Sequence, residues 1–385
     1  MHIGIDYTSA AWQGAGIGRY TRELVRAMVA QGGEHRYTLF YAAGGIERDS
    51  PYLAELRQLC ADHPAVRPVS IPLTPRRLTQ IWQRLRVPLP VELFTGALDL
   101  VHAPDFVLPP TRARTLLTVH DLAFIRHPEC FVPSMVRYLS SAVPRALRRA
   151  DAVLADSEAT RQDLVDLLAA DAARISVVYP GVGARFCPLP AAQTEPVRQR
   201  LGLPARFLLF VSTIEPRKNL ARLIEAFGLV ARRTDGGLHL VIAGRRGWLY
   251  QDVFATIERL QLGDCVRVLD FVHDNDLPAL YNLAWAFAYP SIYEGFGLPA
   301  LEAMACGTPV VTAENSSLPE VVGDAAVLVA ADDVDSIAAG VARVVGDETL
   351  RARLQRAGPE RARRFTWEQA ARRVLECYQR IAVDA

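Results

Sequence analysis

The chain has 385 residues, half of them hydrophobic, and a formal net charge of +1. That length suffices for two ordinary domains, each with its own core, and the near-zero charge gives nucleic acid no bulk electrostatic hold. The six cysteines (Cys60, Cys130, Cys187, Cys265, Cys306, Cys377) lack any C-x-x-C or Cys/His ligand spacing, a pattern that fits reduced cytosolic thiols better than disulfides or zinc.

In chain order, short apolar strands alternate with amphipathic helices. His2–Asp6 reads as a strand and is followed by Gly14-Ala15-Gly16-Ile17-Gly18-Arg19-Tyr20, then by a helix from about Arg19 to Ala30. Strands follow at Tyr37–Tyr41, Leu100–His102, Leu116–His120 and Ala152–Ala155, with helices around Ser134–Arg149 and Glu158–Ala169. Val177–Gly183 (V-V-Y-P-G-V-G) reads as a linker, because Pro and Gly punctuate it. The pattern then restarts: strand Phe207–Val211, helix Leu220–Arg232, strand Leu238–Ala243, helix Tyr250–Leu260. Strands Val266–Leu269, Trp285–Tyr289, Val310–Thr312 and Val327–Val329 complete it, and Asp276, Asp335, Asn219 and Ser157 are the expected helix caps. The closing stretch from Phe365 is an amphipathic helix. This alternation predicts an α/β fold of parallel, doubly wound sheets.

Starting M-H-I-G-I-D, the N-terminus lacks the basic and apolar regions of a signal peptide. No apolar run is long enough for a membrane span. The expectation is a cytoplasmic protein, at most peripheral at the inner face of the cell membrane. Residues 75–88 bear on that second placement: Arg76, Arg77, Arg84 and Arg86 stand with Ile81, Trp82 and Leu85 and no acid. Such a stretch suits an anionic lipid surface carrying a lipid-linked acceptor, or equally a solvated helix face over the domain's own core.

Two places carry chemistry. Lys218 is the only lysine among 43 basic residues. A compact ammonium enters where a planar guanidinium does not fit, so the exception points to a tight anionic pocket. It sits in S-T-I-E-P-R-K-N-L (Ser212–Leu220), beside Arg217, between the first strand and first helix of the second half. Further on, Glu294–Val310 reads E-G-F-G-L-P-A-L-E-A-M-A-C-G-T-P-V. A Gly-bearing loop runs there into a helix that Pro299 can open as its first residue. The helix start offers free N–H groups and a positive dipole end to a diphosphate. Glu294 and Glu302 can then take hydroxyls on opposite sides of the phosphates, as a nucleotide sugar requires.

The Glu294–Val310 segment resembles the E-x7-E signature of retaining GT-B glycosyltransferases of the GT4 family, and the likeness spans nearly the whole chain. It implies two Rossmann-like domains facing a central cleft: an acceptor domain over residues 1–182, to which a helix of about 367–385 crosses back, and a donor domain over 183–366. It also implies a metal-independent hexosyl transfer from a nucleoside diphosphate sugar, with no other cofactor, to a glycan or lipid-linked acceptor. A-G-x-x-G-W at Ala243–Trp248, with E-P-R-K-N, resembles bacterial mannosyltransferases, so GDP-mannose is the favoured donor.

By the same resemblance His120, Arg217, Lys218 and Glu294 form the catalytic set. His120, in T-V-H-D, would touch the donor sugar; the alternative for it is a satisfied structural histidine. Asp121 would hold the loop or that histidine. Arg217 stands in for the arginine that the family pattern puts where this chain has Thr213. The donor-binding set adds Gly16, Gly18, Gly244, Phe271, Val272, Gly295, Phe296, Gly297, Leu298 and Glu302. Glu302 would take the ribose diol, and the backbone near Gly244, Phe271 and Val272 would frame the base. The Gly16–Gly18 loop faces a phosphate or acceptor, or is a plain turn. Asp274-Asn275-Asp276 precedes a helix and reads as a cap, with no metal site. A nucleotide-sugar epimerase, or another GT-B enzyme using a UDP-sugar, is the alternative; a binding protein without turnover stands behind it.

Overall fold

Each half of the chain builds one all-parallel sheet. The computed structural model describes residues 1–14, 16–47, 49–232 and 237–383. In the first sheet lie β1 (His2–Asp6), β2 (Arg36–Ala42), β3 (Val66–Ile71), β4 (Leu100–Ala103), β5 (Arg114–Val119), β6 (Ala152–Ala155) and β7 (Ile175–Val177), in the order 3-2-1-4-5-6-7. The second holds β8 (Phe207–Val211), β9 (His239–Ala243), β10 (Val266–Val268), β11 (Ala286–Tyr289), β12 (Val310–Ala313) and β13 (Ala326–Val329), in the order 10-9-8-11-12-13. Helices cover both faces of such sheets, so the strands are near-continuous apolar runs; F-L-L-F-V of β8 is typical. The order of both sheets reverses beside the first strand, between β1 and β4 and between β8 and β11. Ligands of doubly wound sheets bind outside the carboxyl ends of the strands at that reversal.

By packing, the first unit comprises Met1–Leu122, Arg137–Gly181 and the segment from Trp367 onward; the second comprises Ala123–Val136 and Val182–Thr366. The reading of 1–182 as one continuous domain therefore misses that Ala123–Val136 packs with the second unit. The Phe131 ring stacks on Trp248 at 5.9 Å, and the Trp248 indole N–H donates to the Cys130 carbonyl at 2.8 Å. In the first unit, the helix Trp367–Val383 lies on the helix Ile17–Ala30 and buries Trp367, Ala370, Ala371, Val374, Tyr378 and Ile381, one stripe at helical spacing. His102 Nδ1 bonds the Tyr378 hydroxyl at 2.8 Å and His102 Nε2 the Thr118 hydroxyl at 3.0 Å. Burial pushes His102 down to about 3, so this linking ring is neutral.

One expected cap is displaced, and two hold the N-cap position without a side-chain cap bond. The cap of the helix Val334–Gly346 is Asp333, whose carboxylate accepts from the Asp335 N–H at 2.8 Å; Asp335 lies in the first turn. Asn219 holds the N-cap position of the helix Leu220–Ala231 at φ 60°, but its amide N–H groups go to the Pro290 and Ala331 carbonyls and its Oδ1 accepts from Arg222, so it makes no side-chain cap bond. Asp276 holds the N-cap position of the helix Leu277–Leu283, but its carboxylate pairs with Arg200 and makes no cap bond, and its neighbour Asp274 pairs with Arg185. Ser157 does cap: its Oγ accepts from the Thr160 N–H at 3.0 Å.

Candidate active site

In the second unit the loops after β8 and β11 meet at the reversal of strand order. Pro216–Lys218 forms a single tight turn after β8 that carries both cations. Arg217 reaches Glu294 Oε2 at 2.9 Å, Glu215 Oε1 at 3.0 Å and the Tyr293 carbonyl at 2.8 Å. Lys218 Nζ reaches Glu294 Oε1 at 2.7 Å and the Tyr289 hydroxyl at 3.0 Å, and it is only 7% exposed. Burial by itself would raise the Glu294 carboxyl; Lys218 and then Arg217 outweigh it and hold the group at about 2. Burial and the Arg217 charge push Lys218 down, but Glu294, Tyr289 and Glu215 prevail and its net shift is upward. Burial pushes Tyr289 up to about 12. The buried Lys218 and the partly buried Arg217 therefore stand against the buried carboxylates of Glu215 and Glu294 within one cluster.

The backbone of the second loop is fixed from the turn that follows β12. Ser316 Oγ accepts from the Glu294 N–H at 3.0 Å, and Ser317 Oγ bonds the Glu294 and Phe296 carbonyls at 2.9 Å each. Gly297 takes φ 105° just before the helix Leu298–Ala305, and a Cβ there would stand 2.7 Å from a Leu318 methyl. Pro299 is thus the second helical residue, not the first. Phe296 is buried edge-on to Phe365. Glu302 lies within the helix, buried, and its Oε2 accepts from the Tyr281 hydroxyl at 3.0 Å.

After β9, Gly244 packs so closely that a Cβ would lie 1.7 Å from the Ser212 carbonyl oxygen, and its N–H already donates to the Asp270 carbonyl at 2.6 Å. The position shapes the loop rather than offering a free donor. Phe271 is 45% exposed, with the Arg245 guanidinium 4.3 Å over its ring, whereas Val272 is buried.

In the first unit, Gly16 (φ 57°) caps the helix Ile17–Ala30 with nothing near its missing Cβ, and Ala15 lies outside the described residues. Gly18 is a packing glycine: a Cβ would meet the Gln13 carbonyl at 2.3 Å. The buried Arg22 ties the same loop by donating to the carbonyls of Ala10, Gln13 and Gly14. His120 is buried just past β5; its Nδ1 lies 2.7 Å from Asp156 Oδ2 and its Nε2 2.9 Å from the Pro104 carbonyl. The carboxylate that holds His120 Nδ1 is thus that of Asp156.

Sequence reasoning missed Glu215, Tyr281, Ser317 and Asp156. Tyr281, Ser317 and Asp156 act across a long sequence separation on a group that was found. Only Glu215, inside the basic turn, carries a local signal.

Residues 193–361 match the family model for glycosyl transferases group 1, and residues 14–185 that for glycosyltransferase family 4. The O-antigen chain mannosyltransferase B of Escherichia coli is 32% identical over 369 residues, covering 94% of this chain and 96% of that protein. The serotype-specific mannosyltransferase WbdA of Escherichia coli is 27% identical over 406 residues, covering 99% of this chain and 48% of WbdA. Among solved structures, Anabaena HepE in complex with UDP and glucose matches with a TM-score of 0.76 at 21% identity, covering 98% of this chain and 99% of that one. That likeness concerns the fold, which is GT-B. The chain is a glycosyltransferase and belongs to glycosyltransferase family 4.

Proposed function

We propose that the protein transfers mannose from GDP-mannose, with retention and without a metal ion, to a hydroxyl of a glycan or lipid-linked polysaccharide precursor. The observation that carries this reading is the pair of the partly buried Arg217 and the buried Lys218, both facing Glu294 at the end of the central strands. An arriving diphosphate replaces Glu294 as the partner of the two cations, and the freed carboxylate turns to the sugar hydroxyls. Glu302, already oriented by Tyr281, accepts from the ribose diol. As the acceptor oxygen bonds to the anomeric carbon and the sugar–phosphate bond breaks, charge grows on the leaving diphosphate. Preorganised cations in a water-poor site stabilise that charge better than water does. The acceptor's proton passes to a leaving phosphate oxygen. Support for mannose comes from the two Escherichia coli relatives, which are named mannosyltransferases.

Residues 75–88 fit a lipid-linked acceptor. Arg76, Arg77, Arg84 and Arg86 are exposed, together with Val87 and Leu85, the latter 66% exposed, while Trp82 turns inward. No helix among the described residues is long and apolar enough to cross a membrane.

The test is thermal denaturation with GDP, UDP, ADP and their sugar conjugates, in Mg2+ or EDTA. A ligand of the native state stabilises it by RT ln(1 + [L]/Kd), about 2.7 kcal/mol at a hundredfold excess over Kd, and so raises Tm. A metal-independent rise with GDP-mannose, lost in Lys218→Ala and Arg217→Ala, is the expected result. A rise with UDP-sugars alone overturns the donor and keeps the transferase; no rise with any nucleotide overturns the site.

A further inference from the structure

Two hydrogen-bond partners fix what the His120 ring can be. Its Nε2 faces the Pro104 carbonyl at 2.9 Å, and its Nδ1 faces a carboxylate oxygen of Asp156 at 2.7 Å. A carbonyl only accepts, and an ionised carboxylate only accepts, so each ring nitrogen must carry a proton. The geometry points to Asp156 as a positioning residue that keeps His120 a doubly protonated imidazolium, a fixed cation at the carboxyl ends of β4, β5 and β6 and not a base. With both nitrogens committed, the ring offers no acceptor to a sugar hydroxyl. This account rests on the transferase reading only for its consequence in catalysis.

The surroundings agree. Tyr20 and Phe106 present ring edges to the imidazole at centroid distances of 4.8 and 5.5 Å. Asp105, after β4, adds a second negative charge, and the nearby His102 is neutral. Burial, with the Asp121 charge, pushes the Asp156 carboxyl up, and the His120 charge and hydrogen bond oppose that rise. Burial opposes the charge on His120, but Asp156, then Asp105 and the Pro104 carbonyl, push its pKa up to about 9. Asp105 is itself pushed up to about 6 by burial. The ring also joins three strand ends: Pro104 follows β4, His120 follows β5 and Asp156 follows β6.

The experiment uses the full chain labelled with 15N-histidine, with His120→Gln to assign the signal. Two ring N–H resonances for His120, persisting from pH 6 to about 8.5, are the expected result. In Asp156→Asn the carboxylate is gone, and the ring titrates near its ordinary value of about 6.5. At pH 8.5 only about one ring in a hundred is then charged. The kcat/KM of this variant is expected to fall steeply between pH 6 and 8.5, where the wild type stays level, and Asp156→Glu to restore the level profile. A single protonated ring nitrogen in the wild type at pH 7 overturns the proposal, because the shared proton then sits on Asp156. So does an Asp156→Asn variant that is folded but retains both protons at pH 8.5. The NMR signature requires no donor, so it decides the charge state even if GDP-mannose is not the substrate.

Discussion

Glu294 shows how much a single side chain is asked to do. Its two oxygens hold Lys218 and Arg217 at 2.7 and 2.9 Å inside the second unit. Removing one partner from such a buried network leaves a charge without its counter-ion, which typically costs 3–5 kcal/mol. Glu294→Gln is expected to lose about 3 kcal/mol near neutral pH, softened because Glu215 still faces Arg217. The pH dependence has a definite sign. The carboxyl is held at about 2 in the folded chain, against an ordinary value of 4.5. Its stabilisation is therefore complete above 4.5 and is lost as pH falls towards 2. Urea melts of wild type and variant between pH 7 and 3 check this: the gap between them should close on acidification. A gap independent of pH would mean that the ion pairs contribute nothing.

At the scale of elements, parallel strands were legible because burial on both faces makes them apolar runs, and β1, β6 and β8 begin and end where the pattern puts them. β3 escaped notice because V-R-P-V-S-I is broken by Pro68, which the edge of the sheet tolerates. The E-x7-E loop and the basic turn were legible for a different reason, since their chemistry is written in consecutive residues. The Asp156 partnership was not. It joins the ends of β5 and β6 across 36 residues, and nothing local distinguishes that aspartate from a helix flank. Caps show the same limit at shorter range. Asp333 and Asp335 both fit a helix start, and only the backbone angle of Asp333 (φ −112°, ψ 111°) selects it. Asp333→Ala should cost about 1 kcal/mol and Asp335→Ala only a few tenths. Equal losses in chemical denaturation would mean that the cap hydrogen bond is not the source.

For the whole molecule, membrane association is a balance between charge and exposed apolar surface. Each arginine near an anionic leaflet contributes about 1 kcal/mol, so the four exposed arginines of residues 75–88, with Leu85 and Val87 beside them, suffice for reversible binding. The protein is expected to sediment with phosphatidylglycerol vesicles at low salt, and to stay in solution at high salt or after Arg76, Arg77, Arg84 and Arg86 are changed to glutamine. Equal sedimentation of wild type and variant would remove the segment from the interaction.

The docking of the helix Trp367–Val383 in the first unit bears on how the molecule is made. Translation delivers β1 to β7 early, but the Tyr378 hydroxyl that meets His102, and the apolar stripe that covers the helix Ile17–Ala30, emerge only after all of β8 to β13. A nascent first unit therefore waits on the ribosome with that face open to water, while the second unit, complete by Thr366, can close before it. The half that is synthesised first is the half that is finished last.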